Sequence, residues 1–300
     1  MKTRFSIIMI LCLLLCASAF GEETGAAPKT YPPLSFDVPE APYVPDFFAY
    51  DENMMGYKDD SIEITVEQTT PGNANILVIT VRLTDISQFR AAWAGSYPTS
   101  NEVSTVADMA EWNNAVLAIN ADFFANHSSG IVYRNGMKIR VRPDRDRDTL
   151  IIDMNGDFHI LAPSTQKAFD AFEGDILHAF CFGPALVKDG VMETDFNRID
   201  LDIMKYKKEQ RLAIGQLGPL TYVIVAVEGP LYASSGGMTV PELAQFMMDL
   251  GCTNAYNLDG GNSTAVVLGG VKLNSQSTTK VRQVGDILYF ATLVPDDGMN

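Results

Sequence analysis

Four ionisable residues stand where an apolar run breaks into polar or glycine-rich sequence: Asp122, Arg211, Glu228 and Asp259. Carboxylates paired across a sugar can divide the work of glycosyl transfer, one as nucleophile or base and the other as acid. An arginine offers a planar fork that fits a phosphate. The densest stretch is 255–264. There Leu258 leads to Asp259, Gly260 and Gly261 follow, and Asn262, Ser263 and Thr264 add an amide and two hydroxyls. Glycine tolerates positive φ and lets backbone N–H groups approach a ligand closely. A lone Asp-Gly-Gly is commonly just a strand end and a tight turn, so its meaning depends on what else converges there. Asn120-Ala121-Asp122 closes a second apolar run and could project an amide and a carboxylate into a cleft.

Other chemistries are excluded by pattern. The chain has no phosphate-cradling glycine loop, no dinucleotide fingerprint after a first strand and no nucleophile elbow. His127, His159 and His178 lie far apart and lack zinc-site spacing. His159 alternates within a strand and reads as structural. His127, beside the Asp122 loop, keeps substrate contact as an alternative. The mixed-charge string 140–148 reads as a solvated loop, with one of its arginines reaching the site as the other reading.

The elements that must position these groups are legible from periodicity. Ile62 to Val66 alternates with period two and Ile76 to Val81 is rich in β-branched residues, with a Thr70-Pro71-Gly72-Asn73 turn between them. Hairpin signals recur at Asn135-Gly136, Asn155-Gly156, Asp189-Gly190 and Gly269-Gly270. Ala115 to Ile119 suits a buried strand, Arg211–Gly215 with Leu220–Val227 a hairpin, and Val284–Leu293 a last strand. Helices are expected over 105–113, over 165–172 with Ser164 as cap, and after Thr239. In the last, Thr239 and Glu242 form a capping box, and Leu243, Phe246, Met247 and Leu250 make one stripe. Residues 193–210 are polar and read as a lid or surface loop. The sum is an α+β domain of mostly antiparallel, mixed β-sheets with about three helices packed against them.

The N-terminus reads differently. Lys2 and Arg4 precede the apolar run Phe5–Leu15, and Ala17-Ser18-Ala19 supplies a cleavage site, so residues 1–19 read as a signal peptide cut near Ala19. Cys16 raises a lipid anchor as an alternative, against which Leu15 stands where a small residue is wanted. Residues 20–58 form a Pro-rich segment of extended, surface-hugging chain, and 59–300 the folded domain. No other apolar run approaches the ~20 residues needed to span a bilayer, so the expected location is extracellular or cell envelope. The net charge of −15 grows by two when Lys2 and Arg4 are removed. Such a chain is not a nucleic-acid binder through a broad basic face, and any phosphate it handles must meet a local cation or a metal. Cys181 and Cys252 are the cysteines left to the mature chain, and a disulfide or two buried thiols are equally open.

Five pieces in order resemble the phosphodiester glycosidase family, which includes the domain of the lysosomal mannose-6-phosphate uncovering enzyme and its bacterial relatives. They are Ala118–Phe124, Phe182–Gly190, Arg211–Gly215, Ser235–Thr239 with its helix, and Asn257–Thr264. Together they span roughly 60–295. Three positions depart from the family: Asn262 where a third glycine is common, Glu228-Gly229-Pro230 where Asp-Gly-Arg is common, and Asp122 where many relatives have glycine. The resemblance implies hydrolysis of a sugar 1-phosphodiester at the anomeric carbon. On it Asp259 is the catalytic carboxylate with Glu228 second. Arg211 takes the phosphate, helped by Gly260 and Gly261 N–H groups and by Ser263 and Thr264. Asn120, Asp122 and Phe124 contact the sugar or orient water. The expected partner is a sugar-phosphate small molecule or a cell-envelope glycopolymer. Two rivals stay open: a non-catalytic carbohydrate or envelope binder, and a phosphoesterase holding Ca or Mg through Asp122, Asp259 and Glu228.

Overall fold

Alternation along 62–66 and 76–81 becomes a long antiparallel hairpin that seeds the largest sheet. The computed structural model describes residues 29–36, 42–98, 100–122, 124–197, 204–230, 235–275 and 281–296. The expected signal peptide, Phe123 and the middle of the 193–210 stretch lie outside these. Residues Tyr31–Asn300 make one compact unit.

In chain order the first half holds β1 (Gly56–Lys58), β2 (Ile62–Thr69), β3 (Ile76–Leu83), β4 (Phe89–Trp93), α1 (Val106–Trp112), β5 (Leu117–Asn120), β6 (Gly130–Arg134) and β7 (Met137–Arg142). Then come β8 (Thr149–Asp153), β9 (Phe158–Leu161), α2 (Gln166–Asp170), β10 (Ile176–Phe180), β11 (Ala185–Lys188) and β12 (Val191–Met192). The last part holds β13 (Arg211–Gly218), β14 (Thr221–Val227), α3 (Val240–Asp249), β15 (Asn254–Leu258), β16 (Val266–Leu268), β17 (Val271–Lys272) and β18 (Asp286–Phe290).

These strands form three sheets: an eight-stranded one in the order β1-β2-β3-β14-β13-β15-β11-β12, and two five-stranded ones, β7-β6-β10-β8-β9 and β17-β16-β5-β18-β4. With three helices against antiparallel sheets, the domain is α+β, as its pattern predicts. One face of the large sheet (Ile79, Ile214, Ile224, Tyr256) packs on Leu150 and Phe180 of the second sheet and on Phe89, Ile119 and Phe290 of the third. Its other face (Ala213, Val223, Val225) packs on Leu243 and Met247 of α3. Two buried faces explain why β13 and β14 read as continuous apolar runs and not as alternating ones. α1 covers the outer face of the third sheet, through Val106 and Met109 on Ala118 and Ile287.

Several local expectations change. The cap of α2 is Thr165, whose hydroxyl accepts from Ala168 N at 3.1 Å, whereas the Ser164 hydroxyl accepts from that of Thr149 at 2.9 Å. Part of the Pro-rich segment is specifically docked: Leu34 N donates to Ser87 Oγ at 2.9 Å and Arg90 sits over the Phe36 ring at 4.7 Å. β1 lies inside that segment too, as the edge strand of the large sheet. β4 and β10 escape a pattern reading because each carries a buried polar residue, Arg90 and His178. Cys181 packs with Phe124 and Val132, Cys252 lies on the α3 face, and both are free thiols. Burial pushes each thiol up to about 12. The thermal midpoint should therefore be the same with and without a reductant; a drop on reduction would require a bond between them.

His178 makes a second, larger prediction. It is fully buried, with Nε2 3.1 Å from Phe89 O and Nδ1 accepting from Asn135 N at 3.3 Å. Burial, more than the nearby arginines, lowers its pKa from 6.5 to about 3. The unfolded chain protonates this ring below about 6.5, while the folded chain resists until about 3. Stability present above pH 6.5 should thus be lost steadily as the pH falls towards 3. Urea midpoints measured from pH 7 to pH 3.5 should show that slope, and His178→Gln should flatten it.

Candidate functional site

The ends of β5, β15 and the start of β18 meet at one cleft of about 400 Å³. Asn120, Asp122, Asp259, Ser263 and Asp286 line its inner part, and Glu102 and Arg282 stand on rim segments that also line it. The rim loops are tied to each other, since Ser104 N donates to Val284 O at 3.1 Å and Val284 N to Ser104 O at 2.8 Å.

β5 delivers Asn120 as its last residue, and the amide there is fully committed. Its Nδ2 donates to Asp259 O at 2.8 Å and its Oδ1 accepts from Ala265 N at 3.0 Å. Asn120 therefore clamps both sides of the Asp259–Thr264 turn, which fixes where the Asp259 carboxyl stands. Gly260 and Gly261 have separate reasons to be glycine. A Cβ on Gly260 would lie 2.8 Å from Gln210 O, and Gly261 has φ +57°. Gly261 N donates to Gln210 O at 3.0 Å, so that N–H holds the turn and does not face a ligand.

Asp259 is largely buried. Burial raises its pKa from 3.8 to about 6, opposed by the neighbouring Ser263 hydroxyl, the Arg282 charge and the Gly260 N–H. The carboxyl therefore changes charge near neutrality, as an acid–base group in hydrolysis requires.

Behind it lies an ion cluster that sequence reasoning did not nominate. Arg134, at the end of β6, is fully buried and crosses from the second sheet to the third. Its Nη2 donates to Asp122 Oδ1 at 2.5 Å and to Asp286 Oδ2 at 2.9 Å, and Nε donates to Asp286 Oδ2 at 3.0 Å. Nη1 donates to Tyr133 O and Ala179 O, and the guanidinium lies 4.2 Å over the Phe180 ring. Burial raises the Asp286 pKa, against the lowering pull of Arg134. A period-two signal existed: Val132 and Arg134 share the inward face of β6, and Asp286, Leu288 and Phe290 share that of β18. A charge at an inward register has to find an opposite charge.

The other nominated residues fall elsewhere. Phe124 is core, its ring 5.0 Å beneath the Arg134 guanidinium. Arg211 is buried, and its guanidinium donates to Met238 O, Met204 O and Lys207 O at 2.9–3.0 Å, which ties two loops to the start of β13. Burial lowers its pKa to about 10, so it stays charged. Glu228 accepts from Asn75 Nδ2 at 3.3 Å and Ser275 N at 2.8 Å. Neither Arg211 nor Glu228 lines the cleft, and Thr264 is buried outside its lining. His127 has Arg147 Nη2 3.0 Å from its Nδ1, and Arg140 donates to His127 O and Phe124 O. These two arginines shape the loop after β5 and do not line the cleft.

The donor set is also a poor match for a hard cation. Asp122 Oδ1 faces Arg134 and Oδ2 accepts from Cys181 N at 2.8 Å, while Glu228 lies outside the cleft. Ca²⁺ or Mg²⁺ would need those oxygens turned towards it. Among the described residues no group of three or more His, Cys, Asp or Glu is placed to hold a metal, and no helix is long and apolar enough to cross a membrane.

Fold and cleft together define an antiparallel α+β domain with a carboxylate-lined cleft. The phosphodiester glycosidase sequence model matches residues 113–291, and the chain belongs to that family of glycosidases. It is 28% identical over 256 residues to the SPbeta prophage-derived uncharacterized protein YomE of Bacillus subtilis, covering 80% of this chain and 38% of that protein. The chain thus spans less than half the length of that relative. Its fold is similar to the catalytic domain of zebrafish N-acetylglucosamine-1-phosphodiester alpha-N-acetylglucosaminidase, with TM-score 0.62, 17% identity, and 77% of this chain and 83% of that one covered. A hypothetical protein from Synechocystis matches with TM-score 0.54 at 17% identity, covering 77% and 62%.

Proposed function

We propose that this chain is an exported hydrolase that cleaves a sugar 1-phosphodiester at the anomeric carbon and releases free sugar. The observation that carries the reading is the Asp259 carboxyl. It lines the cleft, is held by Asn120 through its own backbone, and has a pKa raised to about 6. Phosphate is a good leaving group, so the reaction needs less acid help than an ordinary glycoside. Its main needs are a carboxylate near the positive charge that builds at the anomeric carbon and a cation for the departing phosphate. Asp259 supplies the carboxylate, and Asn120 holds the turn that carries it. Asp122 and Asp286 line the same cleft with Arg134 between them, and they supply a negative field around the reacting carbon. Glu228 and Arg211 support this reading as the frame of the neighbouring loops and not as reacting groups. Export rests on the charged, apolar and small-residue pattern of residues 1–19. The substrate is then a sugar-phosphate small molecule or an envelope glycopolymer.

The test is a panel of sugar 1-phosphodiesters incubated with the mature protein in ¹⁸O-labelled water. Label in the released sugar, with none in the phosphomonoester, is the expected result. Label in the phosphate would mean attack at phosphorus, and retention of every diester without turnover would mean a binding protein.

A further inference from the structure

We infer that Arg282 is the cation that receives the phosphate, and that its isolation among carboxylates selects diesters over monoesters. This rests on the phosphodiester reading above and identifies the group that reads the anion. The other arginines near the site are all committed to protein partners. Arg134 is fully buried, with Nε, Nη1 and Nη2 all donating to carboxylates or carbonyls. Arg211 lies outside the cleft and holds three carbonyls. Arg140 and Arg147 serve the loop after β5, through His127 and carbonyls of that loop and of Cys181. Among the described residues, Arg282 is the one remaining base that lines the cleft. It is exposed, no hydrogen bond from it is found among the described residues, and its charge acts on Asp259.

The reacting bond would then lie between the Asp259 carboxylate and the Arg282 guanidinium, both of which line the cleft. The oxygen of water bonds to the anomeric carbon as the bond from that carbon to the phosphate oxygen breaks, and the phosphate leaves with the electron pair and takes up the proton that water releases. The substrate diester carries one negative charge. The product monoester gains a second when that proton dissociates, with a pKa of about 6. Asp122, Asp259, Asp286 and Glu102 all line the same cleft, so even with Arg134 shared between Asp122 and Asp286, one free arginine faces an excess of acid. A monoanion is accommodated by that arginine, whereas a dianion is repelled, and product leaves because its charge has risen. Arginine also suits the task by geometry, since its fork can hold two phosphate oxygens at once.

The experiment uses the mature protein, Arg282→Gln and Arg282→Lys, with dimethyl phosphate as a diester monoanion at every pH and methyl phosphate as the monoester. Amide NMR titration at pH 7.5 should show dimethyl phosphate shifting Ser263 and Gly285, with binding weakened roughly 10- to 100-fold in Arg282→Gln and partly kept in Arg282→Lys. Methyl phosphate should bind the wild-type protein more weakly than dimethyl phosphate and approach it below about pH 6. Turnover is read separately: Arg282→Gln should lose at least about ten times more kcat/KM on a sugar phosphodiester than on an aryl glycoside of the same sugar. Equal binding of dimethyl phosphate by wild type and Arg282→Gln, or no binding by the wild type, would overturn the role of Arg282. Wild-type binding of dimethyl phosphate without turnover of any phosphodiester would instead overturn the functional reading and leave Arg282 as an anion-binding residue.

Discussion

Arg134→Met should cost the fold roughly 3–5 kcal/mol, the penalty for removing one partner of a buried ion cluster and leaving the rest uncompensated. The side chain is fully buried and is the one cation bonded to two carboxylates that have at most 3% exposure. Without it Asp122 keeps one donor, Cys181 N, and Asp286 loses its hydrogen bonds to the guanidinium. Both acids would take up protons, so the variant should be least stable at high pH and partly recover on acidification. The measurement is urea unfolding of wild type and variant between pH 5 and 8. Adding Asp122→Asn and Asp286→Asn to Arg134→Met removes the stranded charge and should restore more than half of the loss. An Arg134→Met protein as stable as wild type would show that the cluster is solvated and that the cleft floor is not the rigid unit described here. Arg134→Lys should not rescue fully, because one ammonium cannot reproduce the fork that reaches Asp122, Asp286, Tyr133 O and Ala179 O together.

How much of this was legible follows from the range of each interaction. Hairpins were legible because Asn135-Gly136, Asn155-Gly156 and Asp189-Gly190 carry their turn chemistry locally, and five of those six residues do adopt positive φ as such turns demand: Asn135, Gly136, Gly156, Asp189 and Gly190. The α3 capping box was legible for the same reason, and Glu242 and Thr239 bond reciprocally. β4 and β10 were hidden because Arg90 and His178 interrupt their apolar pattern. Both are satisfied by groups distant in sequence, Arg90 by Ser35 O and His178 by Phe89 O.

The site divides along the same line. Asn120, Asp122, Asp259 and Ser263 were nominated because strand ends announce themselves as a change from apolar to polar sequence. Arg211 satisfied that criterion equally well, yet its guanidinium is held by carbonyls of two loops whose approach no local pattern encodes. Glu228 also ends an apolar run, and the glycine after it is explained by packing: a Cβ on Gly229 would lie 2.2 Å from Gln210 Cγ. Arg134, Arg282 and Asp286 were missed because two sit inside or at the edge of strand patterns and one in a featureless polar segment. Nothing in their neighbours reports that β6, β18 and the 281–285 rim converge on Asp259.

Asp259→Asn should abolish sugar release and at the same time stabilise the fold. The two effects share one cause. Folding raises the Asp259 pKa from 3.8 to about 6, so the buried site disfavours the ionised form. The sign follows: the favourable contribution of the protonated acid is complete below about pH 3.8 and is lost as the pH rises through about 6. Above that, the folded protein bears a carboxylate that costs on the order of 3 kcal/mol at full effect. An amide of the same shape removes that cost, so Asp259→Asn should unfold at higher urea than wild type at pH 7.5 and at nearly the same urea at pH 4. Activity should run the opposite way. A carboxylate that must be ionised to face the anomeric carbon gives kcat/KM rising with pH up to about 6, where half the sites are charged. The asparagine variant should fall by several orders of magnitude on a sugar phosphodiester, with no acid limb left to measure. Greater stability at pH 7.5 together with lost turnover would identify Asp259 as a group whose strain serves chemistry. Retained turnover in Asp259→Asn would remove it from the reaction, whatever its effect on stability.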